Sequence, residues 1–333
     1  MMERARTTHL RRALAVAITA TAALLAPTAI TPAAHATPLV SAGSVTAKTT
    51  TIVVHSTAMN RDIPLTVIAP RDVSRPRGVL YLLNGAGGGE DAANWVNKTD
   101  IESFFANKNV YVVIPNQGAF SYYTDWLRPD PVLGVNKWST FLGTELPAVI
   151  DRTYRTTGRN AIGGISSSGT SVLNLAIAHP GRYRAAASYS GCASTSDPVS
   201  QQFIKLVVER RGGGNTQNMW GPDNGPLWRA NDPVVNAAKL RGISLYISNA
   251  TGLPGRHDNS VAVPNRVTLT DQIVVGGGIE AATSLCTQQL LHRLQSLRIP
   301  YTADVGEAGT HSWGYWQDQL HKSWPFYQRA IGG

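Results

Sequence analysis

The chain has 333 residues, of which 43% are apolar and 15% charged, and its formal net charge is +9. This apolar content suffices for a large hydrophobic core, and the charge is too low for an intrinsically disordered chain. The 31 glycines and 19 prolines follow no three-residue period, which excludes a collagen-like fibre.

Residues 1–36 have the pattern of a cleaved secretory signal peptide. Arginines at positions 4, 6, 11 and 12 precede an apolar run over residues 13–26, and the small-residue sequence Ala34-His35-Ala36 follows. The run is shorter than the about 20 residues that span a bilayer. We therefore predict a secreted protein of the cell envelope, residues 37–333, without a transmembrane segment. No cluster of Lys and Arg interleaved with aromatic residues points to a nucleic-acid partner.

Apolar runs of strand length alternate with helix-like stretches along the rest of the chain. The runs are residues 51–56, 64–68, 79–83, 110–114, 161–165, 185–189, 243–248 and 301–305. The helix-like stretches are residues 138–151, 167–178, 199–210 and 280–297. This alternation predicts one α/β domain with a mostly parallel sheet and helices on both faces. Residues 212–232 are predicted to form a loop-rich insertion, and ligands should bind outside the carboxyl ends of the strands.

A glycine-rich loop, residues 84–89, follows the third of these predicted strands. It lacks the third glycine of a dinucleotide-binding loop and the Gly-Lys-Ser/Thr of a P-loop. Its position after an early strand instead resembles the oxyanion loop of esterases, in which a backbone N–H stabilises a developing negative charge. Ala86 is the predicted donor in this loop.

A serine lies at a predicted strand–turn–helix, in the sequence Gly164-Ile165-Ser166-Ser167-Ser168. A nucleophile in such a turn needs a small residue two positions before it, because the strained backbone packs closely there. We predict Ser166 as the nucleophile and the Ser167 N–H as the second oxyanion donor. The alternative is an ordinary serine cap at the start of a helix.

The serine requires a base and an acid, which follow it in the order acid, then histidine, in this kind of sheet. His311 lies in a glycine-marked loop after the last predicted strand and is the predicted base. Two acids fit by position. Asp258 follows the strand at 243–248, and Glu280 begins the next predicted helix, where a carboxylate would also complement the helix dipole.

Only two cysteines, Cys192 and Cys286, are present. Export would place them where a disulfide persists, so we predict one bridge, with two free thiols as the alternative. The sequence contains no Cys-x-x-Cys pair, and we predict neither a metal site nor a cofactor.

Six sequence blocks together resemble the antigen 85 mycolyltransferases of mycolic-acid bacteria. They are YLLNGAGG (81–88), SYYTDW (121–126), KWSTFLGTELP (137–147), GISSSGTS (164–171), MWGPDNGPLWRANDP (219–233) and GTHSWGYW (309–316). The resemblance implies an α/β-hydrolase fold and a Ser–Glu–His triad, which favours Glu280 over Asp258 as the acid between Ser166 and His311. It also implies that Trp313 lines a sugar pocket.

One feature departs from that family. Its best-known members contact trehalose through an aspartate and an arginine of the oxyanion loop, and those positions are Asn84 and Gly87 here. An asparagine can still bind a sugar hydroxyl, so Asn84 is kept as a predicted substrate-binding residue. The resemblance implies transfer of a mycolyl group from a glycolipid, trehalose monomycolate, to trehalose or a cell-envelope polysaccharide. The alternatives are a secreted carboxylesterase or lipase with water as acceptor, and a non-catalytic envelope protein.

Overall fold

A computed structural model describes residues 39–42 and 48–332, with side chains from residue 48 onward. The predicted signal peptide lies outside the described residues. The secondary structure alternates strands and helices, as the apolar runs predict.

Nine strands form one mixed sheet in the order β1-β2-β3-β5-β4-β6-β7-β8-β9. The first three pair antiparallel, as does β3 with β5, whereas all later pairs are parallel. The strands are β1 Leu39–Ala42, β2 Thr49–Ser56, β3 Arg61–Ile68, β4 Arg77–Leu83, β5 Val110–Pro115, β6 Thr156–Ile165, β7 Ala185–Tyr189, β8 Ser244–Asn249 and β9 Thr302–Val305.

Helices cover both faces of the sheet, and three of the helical runs contain a π-helical segment. The helices are α1 Trp95–Lys98, α2 Ile101–Phe105, α3 Trp138–Thr140, α4 Leu146–Thr153, α5 Ser167–Ala178, α6 Pro198–Lys205, α7 Thr216–Trp220, α8 Pro226–Ala230, α9 Arg266–Asp271, α10 Gly277–Ser296 and α11 Trp313–Ile331. The π-helical segments are Phe141–Glu145, Leu206–Arg211 and Gln272–Gly276, and a short 3₁₀ helix spans Ala237–Leu240.

Burial on both faces explains why the central strands are continuous apolar runs. All six residues of β5 are buried, and one cluster of buried apolar side chains lies against each face of the sheet. The predicted strand at 185–189 and helix at 167–178 coincide with β7 and α5. The fold is the α/β-hydrolase fold that the sequence blocks imply.

Two elements differ from the prediction. Glu280 does not begin a helix, because α9, a π-helical segment and α10 form one continuous helical run from Arg266 to Ser296. Residues 212–232 are not a plain loop either. They contain α7 and α8, whose Met219, Trp220 and Trp228 pack with Trp126 in a third apolar cluster.

None of the helices among the described residues is both long and apolar enough to cross a membrane. Cys192, after β7, and Cys286, in α10, form a disulfide, as predicted.

Candidate active site

Ser166 lies in a strained turn between β6 and α5. Its φ angle is +56°, in the left-handed region that residues with a side chain rarely adopt. A Cβ at Gly164 would lie 2.6 Å from the Ser168 hydroxyl, so the turn closes only around a glycine. That hydroxyl accepts the Ile165 N–H at 2.9 Å and is fully buried. Ser168 therefore stabilises the turn, and Ser166 faces the cleft.

The structure brings Ser166, His311 and Glu280 into one hydrogen-bonded series. The Ser166 Oγ lies 2.8 Å from His311 Nε2, and His311 Nδ1 lies 2.7 Å from Glu280 Oε2. Because a carboxylate only accepts, Nδ1 carries the proton and Nε2 is left to accept the serine O–H. The arrangement can activate a serine for nucleophilic attack.

The second oxygen of Glu280 is held by three donors. Its Oε1 accepts hydrogen bonds from Ser190 Oγ at 2.8 Å, Asn249 Nδ2 at 2.7 Å and the Ala250 N–H at 2.7 Å. Glu280 is 1% exposed, and a buried carboxylate is tolerated only when it is paired and hydrogen-bonded. These contacts fix the carboxylate in the plane that His311 requires.

Sequence reasoning missed Ser190 and Asn249. Ser190 directly follows β7 and has a φ of +53°, and Asn249 is the last residue of β8. Both are polar residues at the carboxyl ends of parallel strands, where sites form in such sheets. Their position at these strand ends was the signal in the sequence that could have identified them.

Asp258, the alternative acid, does not contact His311. Its carboxylate accepts hydrogen bonds from the Gly255 N–H, Gln272, Thr310 and Tyr315 at 2.6–2.8 Å. The geometry therefore leaves Glu280 as the partner of His311.

The glycine-rich loop lies beside Ser166. A Cβ at Gly85 would lie 3.6 Å from the Ser166 Cβ, and the Ala86 carbonyl accepts the Phe120 N–H at 2.7 Å. Ser167 is the first residue of α5, so its N–H has no partner one turn earlier in the helix. Both predicted oxyanion donors thus lie next to the serine in the fold.

Asn84 does not face the cleft, contrary to the expectation that it binds substrate. It is fully buried, its Nδ2 donates to the Pro115 carbonyl at 2.9 Å, and its Oδ1 accepts the Trp95 N–H at 3.1 Å. A Cβ at Gly89 would lie 2.4 Å from its Nδ2. Asn84 therefore joins the ends of β4 and β5 to α1, and no side-chain atom is left for a sugar.

A cleft of about 950 Å³ opens over Ser166 and His311. Polar and apolar side chains both line it. The polar ones include Asp91, Lys98, Asp271 and Gln317, and the apolar ones include Ala262, Val263, Val275 and Ile279. The cleft can therefore hold a molecule with a polar part and an apolar part.

Trp313 lies at this cleft and is half-buried. Its ring packs edge-on against Trp95 and Trp316, at centroid distances of 5.5 and 5.2 Å. Trp95 itself is fully buried and contributes only support. Within residues 48–332, no group of His, Cys, Asp and Glu side chains could hold a metal ion.

Comparison with known proteins places the chain among acyl-transferring and ester-cleaving enzymes. Residues 56–327 match the family model described as "Putative esterase". The chain is 30% identical over 269 residues to diacylglycerol acyltransferase/mycolyltransferase Ag85A of Mycobacterium tuberculosis, a match that covers 76% of this chain and 73% of the relative. It is 28% identical over 295 residues to the Ag85B protein of Mycobacterium intracellulare, covering 84% and 82%.

Solved structures agree with these matches. The crystal structure of MPT51 (FbpC1) of Mycobacterium tuberculosis superposes with a TM-score of 0.66 at 26% identity, over 83% of this chain and 96% of that one. A ferulic acid esterase, at a TM-score of 0.56 and 20% identity, shares the fold over 85% of this chain and 98% of its own. The chain belongs to the esterase family and, within it, to the antigen 85 mycolyltransferases, and it is an enzyme of the acyltransferase and esterase class.

Proposed function

We propose that this protein transfers a mycolyl group from trehalose monomycolate to a sugar hydroxyl, either of trehalose or of a cell-envelope polysaccharide. The observation that carries the proposal is the hydrogen-bonded series from Ser166 through His311 to Glu280 at the floor of the cleft. The activity for which the Ag85 relatives are named supports the acyl group, and the mixed polar and apolar lining of the cleft suits a glycolipid.

The first half of the reaction forms an acyl-enzyme. Ser166 Oγ attacks the ester carbonyl carbon while its proton passes to His311 Nε2, and the carbonyl oxygen becomes an oxyanion. In this proposal the N–H groups of Ala86 and Ser167 stabilise that oxyanion. The C–O bond to trehalose then breaks, and the imidazolium returns the proton to the leaving sugar oxygen. Glu280 stabilises the imidazolium while it exists.

The second half reverses these steps with a new acceptor. A sugar hydroxyl enters, gives its proton to His311 Nε2 and attacks the acyl carbon, and the proton then returns to Ser166 as the ester is released. Transfer requires that a sugar hydroxyl react faster than water. Trp313 and Trp316, at the cleft, would help to exclude water from the acyl-enzyme.

The enzyme is proposed to act outside the cell, as a single domain of residues 37–333 after removal of residues 1–36. The disulfide between Cys192 and Cys286 supports this, because such bonds persist in oxidising compartments.

Hydrolysis is the second candidate, because the family model is that of an esterase. The same three residues would act, and water would take the place of the sugar in the second half of the reaction. The products distinguish the two activities.

The test uses purified residues 37–333 and a Ser166→Ala variant, each given trehalose monomycolate and isotopically labelled trehalose. Mass spectrometry should find labelled monomycolate and new dimycolate only with the intact serine. Free mycolate alone would replace transfer by hydrolysis. An equal product yield from Ser166→Ala would exclude Ser166 as the nucleophile, and no product from either protein would reject this acyl donor.

A further inference from the structure

A second buried carboxylate, Asp258, lies next to the triad without touching it. The residue is 8% exposed, and its Oδ1 accepts hydrogen bonds from Thr310 Oγ1 at 2.6 Å and Gln272 Nε2 at 2.7 Å. Its Oδ2 accepts from the Tyr315 hydroxyl at 2.6 Å and the Gly255 N–H at 2.8 Å. Burial by itself raises the pKa of Asp258, but these four hydrogen bonds outweigh it and lower the pKa below its usual value.

Three of the four donors to Asp258 belong to the segments that surround His311. Thr310 directly precedes His311, and Tyr315 lies in the first turn of α11, which follows it. Gln272 begins the π-helical segment whose last residue, Gly276, accepts the His311 N–H through its carbonyl at 3.2 Å. The Asp258 carboxylate therefore connects three segments: the residue before His311, the helix α11 after it, and the π-helical segment that binds the His311 backbone.

His311 itself lies in irregular chain between β9 and α11. Its ring contacts Ser166 and Glu280 and packs edge-on against Trp316 at a centroid distance of 4.9 Å. Bonds to both triad partners need the imidazole placed to within a few tenths of an ångström, and about 1 Å of misplacement can cost about a hundredfold in rate. A loop without regular secondary structure supplies that accuracy only if it is held from outside.

We propose that Asp258 is a positioning residue for the reaction, and that it holds His311 between Ser166 and Glu280 through the Thr310 hydroxyl. The inference rests on the proposed function, because it assigns His311 the role of base. Asp258 touches neither the substrate nor the reacting atoms. It acts by fixing the backbone from which the imidazole projects.

Single-atom changes at Thr310 test this with little change in packing. Thr310→Val removes the hydroxyl and keeps the branched shape, whereas Thr310→Ser keeps the hydroxyl. Thr216→Val is the matched control. Thr216, the first residue of α7, is also fully buried, and its hydroxyl also donates to a carboxylate, that of Glu209, but this pair does not lie beside His311. Asp258→Asn, measured in parallel, removes the charge and two of the four acceptor positions.

The readouts are the second-order rate of labelling by a fluorophosphonate probe, the kcat and KM for a soluble nitrophenyl ester, and the melting temperature. We expect Thr310→Val to lower the labelling rate and kcat by about tenfold, with KM within about twofold of wild type. The labelling rate and kcat of Thr310→Ser should stay within about threefold of wild type. Those of Thr216→Val should stay within about twofold, even if its melting temperature falls as far as that of Thr310→Val. Asp258→Asn should lose at least as much rate as Thr310→Val.

The results separate this inference from the proposed function. A wild-type enzyme that is not labelled, or that is labelled as fast as Ser166→Ala, overturns the proposed function and the inference with it. A labelled wild-type enzyme overturns the inference alone if Thr310→Val reacts as fast, if Thr310→Ser reacts as slowly as Thr310→Val, or if Thr216→Val loses as much rate.

Discussion

The Glu280 carboxylate accepts four hydrogen bonds, three from donors on one oxygen and one from His311 on the other. In Glu280→Gln the amide oxygen can still accept from Ser190, Asn249 and Ala250, which places the NH₂ group against His311 Nδ1. Two donors would then face each other, and the imidazole would turn to the tautomer that cannot accept the serine proton. We expect kcat to fall by about 10³- to 10⁴-fold with little change in KM.

Steady-state kinetics with a nitrophenyl ester measure this effect. Glu145→Gln is the matched control. The Glu145 carboxylate also accepts hydrogen bonds from a serine hydroxyl and a backbone N–H, those of Ser56 and Ala58, but it does so at the end of β2 and not at His311. A Glu280→Gln enzyme that keeps more than about a tenth of wild-type kcat would exclude Glu280 as the acid of the triad.

Asp91 takes the place next to the glycine-rich loop that a side chain at position 87 would occupy. A Cβ built on Gly87 would lie 2.6 Å from Asp91 Oδ2, and Asp91 is one of the residues that line the cleft. We expect Asp91→Ala to raise the KM for trehalose as acceptor by about tenfold, since one charge-assisted hydrogen bond to a hydroxyl would be lost.

Acceptor titration at a fixed concentration of acyl donor measures that KM. Asp91→Asn, which keeps an acceptor oxygen, should fall between wild type and Asp91→Ala. An unchanged acceptor KM in both variants would show that trehalose does not reach Asp91.

Asn84 shows what residue-level reasoning from the sequence cannot supply. The position follows a strand and begins a glycine-rich loop, and that pattern is the same whether the side chain points into the cleft or into the protein. The deciding partners, Pro115 and Trp95, come from other elements. The choice between Asp258 and Glu280 depended in the same way on which acid the fold brings to His311.

At the scale of elements, the disulfide joins two of the segments that hold Glu280. Cys192 lies two residues after Ser190, and Cys286 lies in α10, six residues after Glu280. We expect the double variant Cys192→Ala/Cys286→Ala to lose about 2–5 kcal/mol of unfolding free energy, because the bridge closes a long loop of the unfolded chain. Turnover should also fall, because Glu280 would be less firmly placed.

Thermal unfolding and kinetics, both in non-reducing buffer, test this prediction, with turnover measured well below both melting temperatures. Ser200→Ala is the control, because the Ser200 hydroxyl lies within 3.6 Å of both sulfur atoms and its loss leaves the bridge intact. Unchanged turnover in the double variant would limit the disulfide to a role in stability.

The order of strands and helices along the chain was predictable because buried strands and helices have different lengths and compositions. The antiparallel pairing of β1, β2 and β3 was not, since an apolar run does not encode the direction of its neighbour. The π-helical segment before α10 was also missed. Such a segment adds one residue to a helical turn, and the helical pattern of the sequence does not reveal it. Its contacts are with distant parts of the chain: Gln272 binds Asp258, and the Gly276 carbonyl binds the His311 backbone.

At the scale of the whole molecule, three aspartates link the fold to pH. For Asp130, Asp258 and Asp304, burial raises the pKa, but hydrogen bonds, joined at Asp304 by the charges of Lys322 and Arg256, outweigh it and lower the pKa below its usual value. A carboxyl group whose pKa is lower in the folded than in the unfolded state stabilises the fold above its unfolded pKa, about 3.9. That stability is lost as the pH falls through the folded pKa, so the melting temperature should fall below about pH 4.

Asp130→Asn isolates one of these contributions away from the triad. The Asp130 carboxylate accepts from the backbone N–H groups of Val132, Leu133 and Asn215 and from the Asn218 side chain. We expect the variant to melt below wild type at pH 7 and closer to it at pH 3, because below the unfolded pKa of about 3.9 the unfolded wild-type chain takes up a proton and the stabilisation by the ionised Asp130 shrinks. A difference in melting temperature that is equal at the two pH values would contradict this.

The members of the triad are far apart along the chain. Ser166 and His311 are separated by 145 positions, and Glu280 stands 31 positions before His311. Contacts of such long range form late in folding, because the entropy of closing the intervening chain must first be offset. In the proposed mechanism, a nascent chain that has folded only as far as α10 carries Ser166 without its base. Ester cleavage would then begin only after β9 has joined the sheet and α11 has packed against it.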